Sequence, residues 1–363
     1  MEKKLKTNKK MKMSKTLRSN LITYGIVLAA YIIIQILISA GSLSSLIQGL
    51  LVPLCSYAIL AVSLNLTVGV LGELSLGHAG FMCVGAFTSA FFSKCMQEAI
   101  PLSGVRFFIA ILIGAASAGI FGILIGIPVL RLKGDYLAIV TLAFGEIIKN
   151  IINILYVGVD ESGLHFSVTS SMDLNLSENG TIIIKGAQGI TGTPGDSSFT
   201  VGVILLLITL FIVLNLVHSR DGRAIMAIRD NTIAAESVGI NITKYKLMAF
   251  SISAALAGVA GVLYAHNISS LQATTKNFGY NMSIMILVFV VLGGIGNIRG
   301  SVISAVVLTL LPELLRGLNN YRMLIYAIVL IAMMLFNWAP KAIAWREKAA
   351  YKLRLKKTAK EAE

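Results

Sequence analysis

The polar residues best placed to do chemistry lie inside apolar sequence, where an ionisable group is costly and usually functional. Glu73, Ser75 and His78 fall in LNLTVGVLGELSLGHAGFMCVG, Leu64–Gly85, which five glycines interrupt. A regular helix in lipid does not need so many glycines, whereas a broken segment facing protein or water does. We therefore expect these residues to line a polar path; a cytoplasmic turn before a capped helix from near Ser75 is the alternative.

Glu146 and Lys149 form a second candidate pair, within RLKGDYLAIVTLAFGEIIKN, Arg131–Asn150. Their spacing of three places both side chains on one face of a helix. Charges within a membrane usually pair, so the pattern predicts mutual neutralisation inside a bundle, with contact to a transported solute as the alternative. Asp135 follows Gly134 and is typical of a helix start.

A long polar segment, SRDGRAIMAIRDNTIAAESVGINITKYK at Ser219–Lys246, separates two apolar stretches. Asp230 or Asn231 can cap a helix and Gly239 can end it, so we predict a short helix over Thr232–Val238. Polar loops of this length are usually functional or disordered.

That short helix would carry a small apolar face suited to a groove in a partner protein. The apolar residues are Ile233, Ala234 and Val238. The charged residues that would rim the contact are Arg223, Arg229 and Glu236. A solvated connector is the alternative interpretation.

Ten apolar stretches must position these residues, most of them long enough to cross a hydrocarbon core ~30 Å thick. Of the 363 residues, 56% are hydrophobic and only 13% are charged. Soluble domains carry roughly 25% charged residues, so we expect an all-α polytopic transmembrane bundle. The predicted spans are Leu21–Ala40, Leu46–Gly69, Ala79–Met96, Phe107–Val129, Tyr136–Tyr156, Phe199–His218, Leu247–His266, Asn281–Ile295, Ser301–Leu318 and Leu324–Pro340.

The net charge of +14 gathers at the two ends of the chain. Eight Lys or Arg residues lie at positions 3–18 and eight more at 341–360, each cluster beside an apolar stretch. The positive-inside rule favours cytoplasmic anchors over nucleic-acid-binding tails. Both termini then lie in the cytoplasm, 157–198 falls outside and 219–246 inside. The expected domains are tails 1–20 and 341–363 around a membrane domain 21–340.

Small residues recur every four positions in one apolar stretch, where they would let helices approach closely inside the bundle. These residues are Gly114, Ala118, Gly122 and Gly126. The three cysteines form no CxxC and have no histidine at metal spacing, so we expect them to be small buried hydrophobes. They are Cys55, Cys83 and Cys95.

Motifs of self-contained enzymes are missing from the sequence. It contains no GxxxxGKS or GxxxxGKT phosphate loop, no HExxH and no GxSxG. VLGGIGNIRG at Val291–Gly300 is faintly like a dinucleotide fingerprint, but apolar stretches flank it, so a tight cytoplasmic turn explains it better. It and Gly69–Gly80 could mark corresponding points of an internal repeat. We expect no enzyme activity, cofactor or metal.

Four segments, in this order, resemble the inner-membrane permease subunits of branched-chain amino acid ABC transporters, the hydrophobic amino acid uptake family. They are LNLTVGVLGELSLGHAGF, LRLKGDYLAIVTLAFGE, SRDGRAIMAIRDNTIAAESVGI and VLGGIGNIRGSVISAVVLTLLPELLR. GAQGITGTPG, Gly186–Gly195, is similar to the family's outer segment but departs from it at Ala187 and Thr193. Gly158–Ile184 looks like an insertion relative to the family pattern.

The resemblance implies a heteromeric importer in the cell membrane, surrounded by membrane lipid. Two permease subunits form the pathway, two cytosolic ABC ATPase subunits bind the coupling loops, and an extracytoplasmic substrate-binding protein delivers substrate. The missing phosphate loop agrees, since another chain would hydrolyse ATP. The implied ATPase-coupling residues are Arg223, Arg229, Asp230, Ala234, Ala235, Glu236 and Gly239. The path candidates are Glu73, Ser75, His78 and Glu146.

Other functions remain open at this point. Related permeases carry urea or short amides, so the substrate is less secure than the class of transporter. A secondary transporter working alone could use Glu146 and Lys149 for ion coupling, and it would not need ATP. A membrane scaffold or sensor explains the glycine-broken segment poorly.

Overall fold

A computed structural model describes residues 15–338, apart from 133, 161–162, 175 and 178–179. The carboxyl-terminal basic cluster and most of the amino-terminal one lie outside the described residues. So do Lys133 and two acidic residues of the predicted outer segment 157–198, Glu161 and Glu178.

The described chain is mainly helical, as the sequence predicts. The first half contains α1 (Lys15–Ser39), α2 (Ser45–Asn65), α3 (His78–Cys95), α4 (Ser103–Val129) and α5 (Asp135–Ile154). The second half contains α6 (Phe199–His218), α7 (Arg220–Asp230), α8 (Thr232–Ser237), α9 (Ile242–Ala265), α10 (Thr275–Phe278), α11 (Tyr280–Gly293), α12 (Ile298–Leu314) and α13 (Arg322–Trp338). The predicted start of a helix at Asp135 is confirmed.

Eight helices in the described part of the chain are long and apolar enough to cross a membrane, and each corresponds to a predicted span. The other two predicted spans correspond to α3, with 18 residues, and α13, with 17 residues. At 1.5 Å per residue, both are short for a core ~30 Å thick. A total of about ten spans, and the cytoplasmic placement of both termini, therefore stay predictions.

The centre of the bundle is α9, which packs against α2, α3 and α4. The small-residue stripe on α4 is buried and faces α9, as predicted. A Cβ atom added at Gly122 would lie 2.6 Å from the Cβ of Ala254, so a side chain there would force the helices apart. Close approach is what holds helices together in lipid, where dispersion contacts replace hydrophobic burial. Cys55 and Cys83 are buried in this core.

The chain between α2 and α3 is broken, as its glycines indicate. After α2 comes a π-helical turn, Leu66–Leu71, and then residues 72–77 without regular structure. The alternative interpretation, a turn followed by a capped helix from near Ser75, is met in part. α3 begins at His78, shortly after Ser75, but Gly77 before it has no side chain that could cap the helix.

The tight turn between α11 and α12 lies directly against that break. Asn65 Oδ1 accepts a hydrogen bond from Gly296 N at 2.8 Å, and Asn65 Nδ2 donates one to Ser301 Oγ at 2.8 Å. A Cβ atom at Gly69 would lie 2.7 Å from Gly296 Cα. The two glycine-rich regions are therefore neighbours in space, while an internal repeat stays a prediction.

A small antiparallel sheet, in the order β2-β1-β3-β4-β5, covers the end of the bundle opposite α7 and α8. Its strands are β1 (Tyr156–Asp160), β2 (Gly163–Ser167), β3 (Thr181–Lys185), β4 (Ile190–Thr191) and β5 (Ser270–Leu271). Val157 and Ile184, which pair across β1 and β3, belong to the same apolar cluster as the helices. Within the apparent insertion Gly158–Ile184, strand β3 is thus packed onto the bundle.

Candidate functional site

The segment between α6 and α9 is a helical pair, α7 and α8, with its own capping residues. Ser219 Oγ accepts from Gly222 N at 3.0 Å and starts α7, a helix that the sequence interpretation missed. Asn231 Oδ1 accepts from Ala234 N at 3.0 Å and starts α8. Gly239, with φ of 84°, follows the end of α8. The predicted short helix is therefore confirmed within one residue, with Asn231 rather than Asp230 as its cap.

The apolar residues predicted for α8 face away from the protein. The relative exposure is 81% for Ile233 and 74% for Val238, and Ala234 is also exposed. Ala235 is instead buried and holds the helix to its neighbours. An amphipathic helix with large apolar side chains in water is the type of surface that docks into a groove.

The charged rim residues differ in what they contact. Arg223 donates from Nη1 to the carbonyl oxygen of His218 at 3.3 Å and is exposed. Glu236 is exposed on α8. Glu236 and Gly239 also line an open pocket of about 640 Å³ between α8, the start of α9 and the end of α4. A partner protein can therefore reach both residues.

Arg229 connects the α7–α8 segment to the broken segment. Its Nη1 donates to the carbonyl oxygen of Gly69 at 2.8 Å, and its Nη2 pairs with Asp230 Oδ1 at 3.0 Å. Gly69 lies in the π-helical turn, near a helix end where carbonyl groups lack partners and the dipole favours a cation. The guanidinium group therefore holds the π-helical turn that follows α2 against α7.

A buried ion pair makes a second connection to the same segment. Lys246, in the first turns of α9, donates to Glu73 Oε1 in the broken segment. The side chains are only 12% and 15% exposed. Removing one partner of such a pair leaves a buried charge without compensation. Sequence reasoning singled out Glu73 but missed Lys246, since 173 residues separate the two.

Ser75 and His78 lie deeper in the same break. His78 Nε2 is hydrogen-bonded to Ser63 Oγ on α2 at 2.7 Å. Ser75 is fully buried, and its hydroxyl has no hydrogen-bond partner among the described residues. A buried hydroxyl without a partner is costly and is a recognised mark of a functional or strained position.

Glu146 and Lys149 pair with each other, so the predicted neutralisation is confirmed. Lys149 Nζ also donates to Thr275 Oγ1 at 3.0 Å. Glu146 Oε1 accepts from the backbone N–H of Tyr280 at 2.7 Å, at the start of α11. A carboxylate stabilises the positive end of a helix dipole, so this pair fixes the start of α11 against α5.

The first turn of α11 also joins this pair to the broken segment. Ser283 Oγ accepts from Ala79 N at 3.2 Å, in the first turn of α3. Thr141 Oγ1 on α5 accepts from Leu76 N at 3.0 Å. These contacts bring the chain around Ser75 and His78 close to Glu146, where α3, α5 and α11 meet. Glu73 is not part of this group, because it pairs with Lys246 on α9.

No group of three or more His, Cys, Asp or Glu side chains that could hold a metal ion occurs in the part of the chain that the structure describes. The buried polar groups above bond mainly to backbone or to a single neutral or paired partner.

Comparison with known proteins gives a consistent result. The profile of a family described as branched-chain amino acid transport system, permease component, matches residues 46–336. The chain is 35% identical over 300 residues to the high-affinity branched-chain amino acid transport system permease protein LivM of Salmonella typhimurium, covering 79% of this chain and 67% of the relative. LivM of Escherichia coli is 34% identical over 302 residues, with the same coverage. The corresponding permease protein LivH of Salmonella typhimurium is 24% identical over 258 residues, 70% of this chain and 79% of that protein. No solved structure matches.

Proposed function

Because this chain belongs to the family of branched-chain amino acid transport permease components, we propose that it is the permease subunit of an ABC importer. It is a multi-pass protein of the cell membrane. In this proposal it forms the translocation path for branched-chain amino acids together with a second permease subunit. Cytosolic ABC ATPases power it, and an extracytoplasmic binding protein supplies the substrate.

The observation that carries the proposal is the exposed apolar face of α8, on a segment clamped to the broken helix. Ile233 and Val238 would enter a groove of the ATPase, with Glu236 and Arg223 at the rim. A solvated connector would have little reason to expose two large apolar side chains on a capped helix. An ion-coupled transporter working alone would not need this surface.

The mechanism we propose is alternating access, in which ATP binding and hydrolysis shift a pre-existing equilibrium between two arrangements. Movement of α8 passes through Arg229 to the end of α2, and through Lys246 to the broken segment. The break lets α3 move relative to α2. The first turn of α11 then carries the displacement to Glu146.

The substrate class follows from the relatives, whose printed names specify branched-chain amino acids. The path residues do not by themselves distinguish such substrates from urea or short amides. Competition of labelled leucine uptake by valine, isoleucine, urea and acetamide would separate these substrates. If only urea and acetamide inhibited the uptake, the substrates would be assigned as amides and not as branched-chain amino acids.

The test is to purify the chain gently with its partners and to measure ATP-driven uptake in proteoliposomes. We expect P-loop ATPases and a second multispanning subunit to copurify. Glu236→Lys should remove the ATPases and abolish uptake, because it reverses a charge at the rim of the docking face. Glu98→Lys, at an exposed position between α3 and α4, is the matched control.

Two outcomes would contradict the proposal in different ways. Unchanged uptake and unchanged ATPase recovery in the Glu236→Lys complex would show that α8 is not the docking helix. A chain that purifies alone and transports without ATP would be a secondary transporter.

A further inference from the structure

The five-stranded sheet β2-β1-β3-β4-β5, which we call the outer sheet, has one face on the bundle and one face turned away from it. Val157 on β1 pairs with Ile184 on β3, and both side chains are buried in the core of the bundle. Residues directly opposite one another in a sheet share a face. The two β2 residues that lie opposite Val157 and Val159 therefore point to the same side as Val157.

Those partners overhang the bundle and are uncovered. Phe166, opposite Val157, is 65% exposed, and Leu164, opposite Val159, is 53% exposed. The apolar set continues with Val168 and Met172, at 66% and 89% exposure. We call these four residues the ledge.

The covalent chain limits how far the ledge can lie from the end of α5. β1 begins two residues after Ile154, the last residue of α5. At about 3.3 Å per residue, Val157 lies within about 10 Å of that helix end, and a paired strand adds about 5 Å. The polar interfacial layer is about 5–8 Å thick on each side of the hydrocarbon core. The chain thus keeps Phe166 within about 15 Å of the end of α5, a range that includes the headgroup layer.

From this geometry we propose that the ledge rests in the interfacial layer of the outer leaflet, so that the outer sheet is a lipid-contacting element. A residue between those of the ledge fits this environment. Thr169, next to Val168, carries a hydroxyl group that can bond to phosphate and ester oxygens. His165 points to the other face, where it pairs with Asp160 at 3.0 Å.

Lipid fits the ledge better than a protein partner does. Four side chains are far fewer than the roughly 20–30 residues that each partner contributes to a stable protein interface. The ledge is also apolar without arginine or lysine at its edge in the described residues, whereas protein interfaces combine apolar anchors with a polar rim. Aromatic and aliphatic side chains buried about 5–10 Å into the headgroup boundary are the usual membrane contact of interfacial elements.

The test uses tryptophan fluorescence in the full chain, reconstituted in phosphatidylcholine vesicles with bromine atoms near the carbonyl end of one acyl chain. Trp338→Phe and Trp345→Phe remove the two native tryptophans. Phe166→Trp should lose most of its fluorescence in brominated vesicles relative to unbrominated ones. His165→Trp, on the opposite face of the same strand, should keep most of it.

Equal quenching of the two variants, or none in either, would overturn the proposal. Leu164→Trp is the second reporter if Phe166→Trp fails to fold, and it should be quenched in the same way. If adding the second permease or the binding protein abolished the quenching, the ledge would be a contact surface for that protein and not for lipid. The measurement needs no transport, so its failure is separate from failure of the proposed function.

Discussion

At the residue scale, the structure gives the charged side chains of this chain two different tasks. The Glu73–Lys246 pair joins elements that belong to different parts of the molecule, the broken segment and the start of α9. The Glu146–Lys149 pair is local and secures one helix start. The same chemistry therefore joins two distant segments in one place and secures a single helix start in the other.

The Glu73–Lys246 pair leads to the prediction that removing one of its charges uncouples uptake from ATP hydrolysis. Lys246→Gln leaves the Glu73 carboxylate buried without its cation, so the broken segment should no longer follow α9. We expect uptake to fall about tenfold, equivalent to about 1.4 kcal/mol, while the ATPase rate persists. Uptake and ATP hydrolysis would be measured in the same proteoliposomes.

The control for this prediction is Glu313→Gln, which removes one partner of an accessible i,i+3 pair with Arg316. The reciprocal exchange Glu73→Lys with Lys246→Glu should restore part of the uptake. If Lys246→Gln kept the normal ratio of uptake to ATP hydrolysis, the Glu73–Lys246 pair would have no part in linking the two processes.

The second pair predicts an order of stabilities. Glu146→Gln leaves the ammonium group of Lys149 unpaired with only 8% of its side chain exposed. Lys149→Met keeps the volume, and the more accessible Glu146 still accepts from Tyr280 N. We expect Glu146→Gln to cost more, by at least about 1 kcal/mol of unfolding free energy. Thermal unfolding in detergent measures this difference.

The control combines the two substitutions, Glu146→Gln and Lys149→Met, in one chain. No ammonium group is then left unpaired, so this double variant should be more stable than Glu146→Gln alone. The opposite order of stabilities for the single variants would contradict the structural role. A raised KM for uptake in Lys149→Met, without loss of stability, would instead favour the alternative of contact with substrate.

At the scale of elements, the helices follow from local sequence, whereas the sheet does not. Hydropathy, the cap at Asn231 and the glycine at Gly239 each act over a few residues, so α8 and the spans were predictable. The start of α7 at Ser219 was also encoded locally and was missed, because Ser219 directly follows an apolar span and resembles the end of that span.

The sheet and the ion pair depend on contacts that no local pattern reveals. β1 pairs with β3 about 25 residues later in the chain, and β4 pairs with β5 about 80 residues later. Thr141, Ser283 and Lys246 were missed at the candidate site for the same reason. Their roles depend on which helices are neighbours in the fold. The sequence around a polar residue in an apolar stretch does not show which residue it will contact.

The small-residue stripe predicts a packing defect at this scale. Gly122→Leu should destabilise the bundle by about 1–3 kcal/mol, because the added side chain meets Ala254 on α9. Gly104→Leu, in the same helix, has nothing within 4 Å of the added Cβ and serves as control. Thermal unfolding would compare the two, and equal stability would show that α4 and α9 can separate without cost.

At the scale of the whole molecule, labelling tests the predicted topology. Cys55 and Cys83 are buried, so Cys95→Ser gives a background with little reactive thiol. Ile233→Cys should react with an impermeant maleimide only from the cytoplasmic side, and Met172→Cys only from outside. Reaction of both from one side would overturn the prediction that α6, which lies between them in the chain, crosses the membrane once.

The outer sheet is built from two separate connections between helices. Strands β1 to β4 come from the connection between α5 and α6, but β5 comes from the connection between α9 and α10. Two residue pairs join β4 to β5, and Gly192 N donates to Ser269 O at 2.8 Å just beyond them. One of the pairs, Ile190 with Leu271, is fully buried. Opening the sheet there would expose both side chains to water, so this junction ties the α9–α10 connection to the α5–α6 connection.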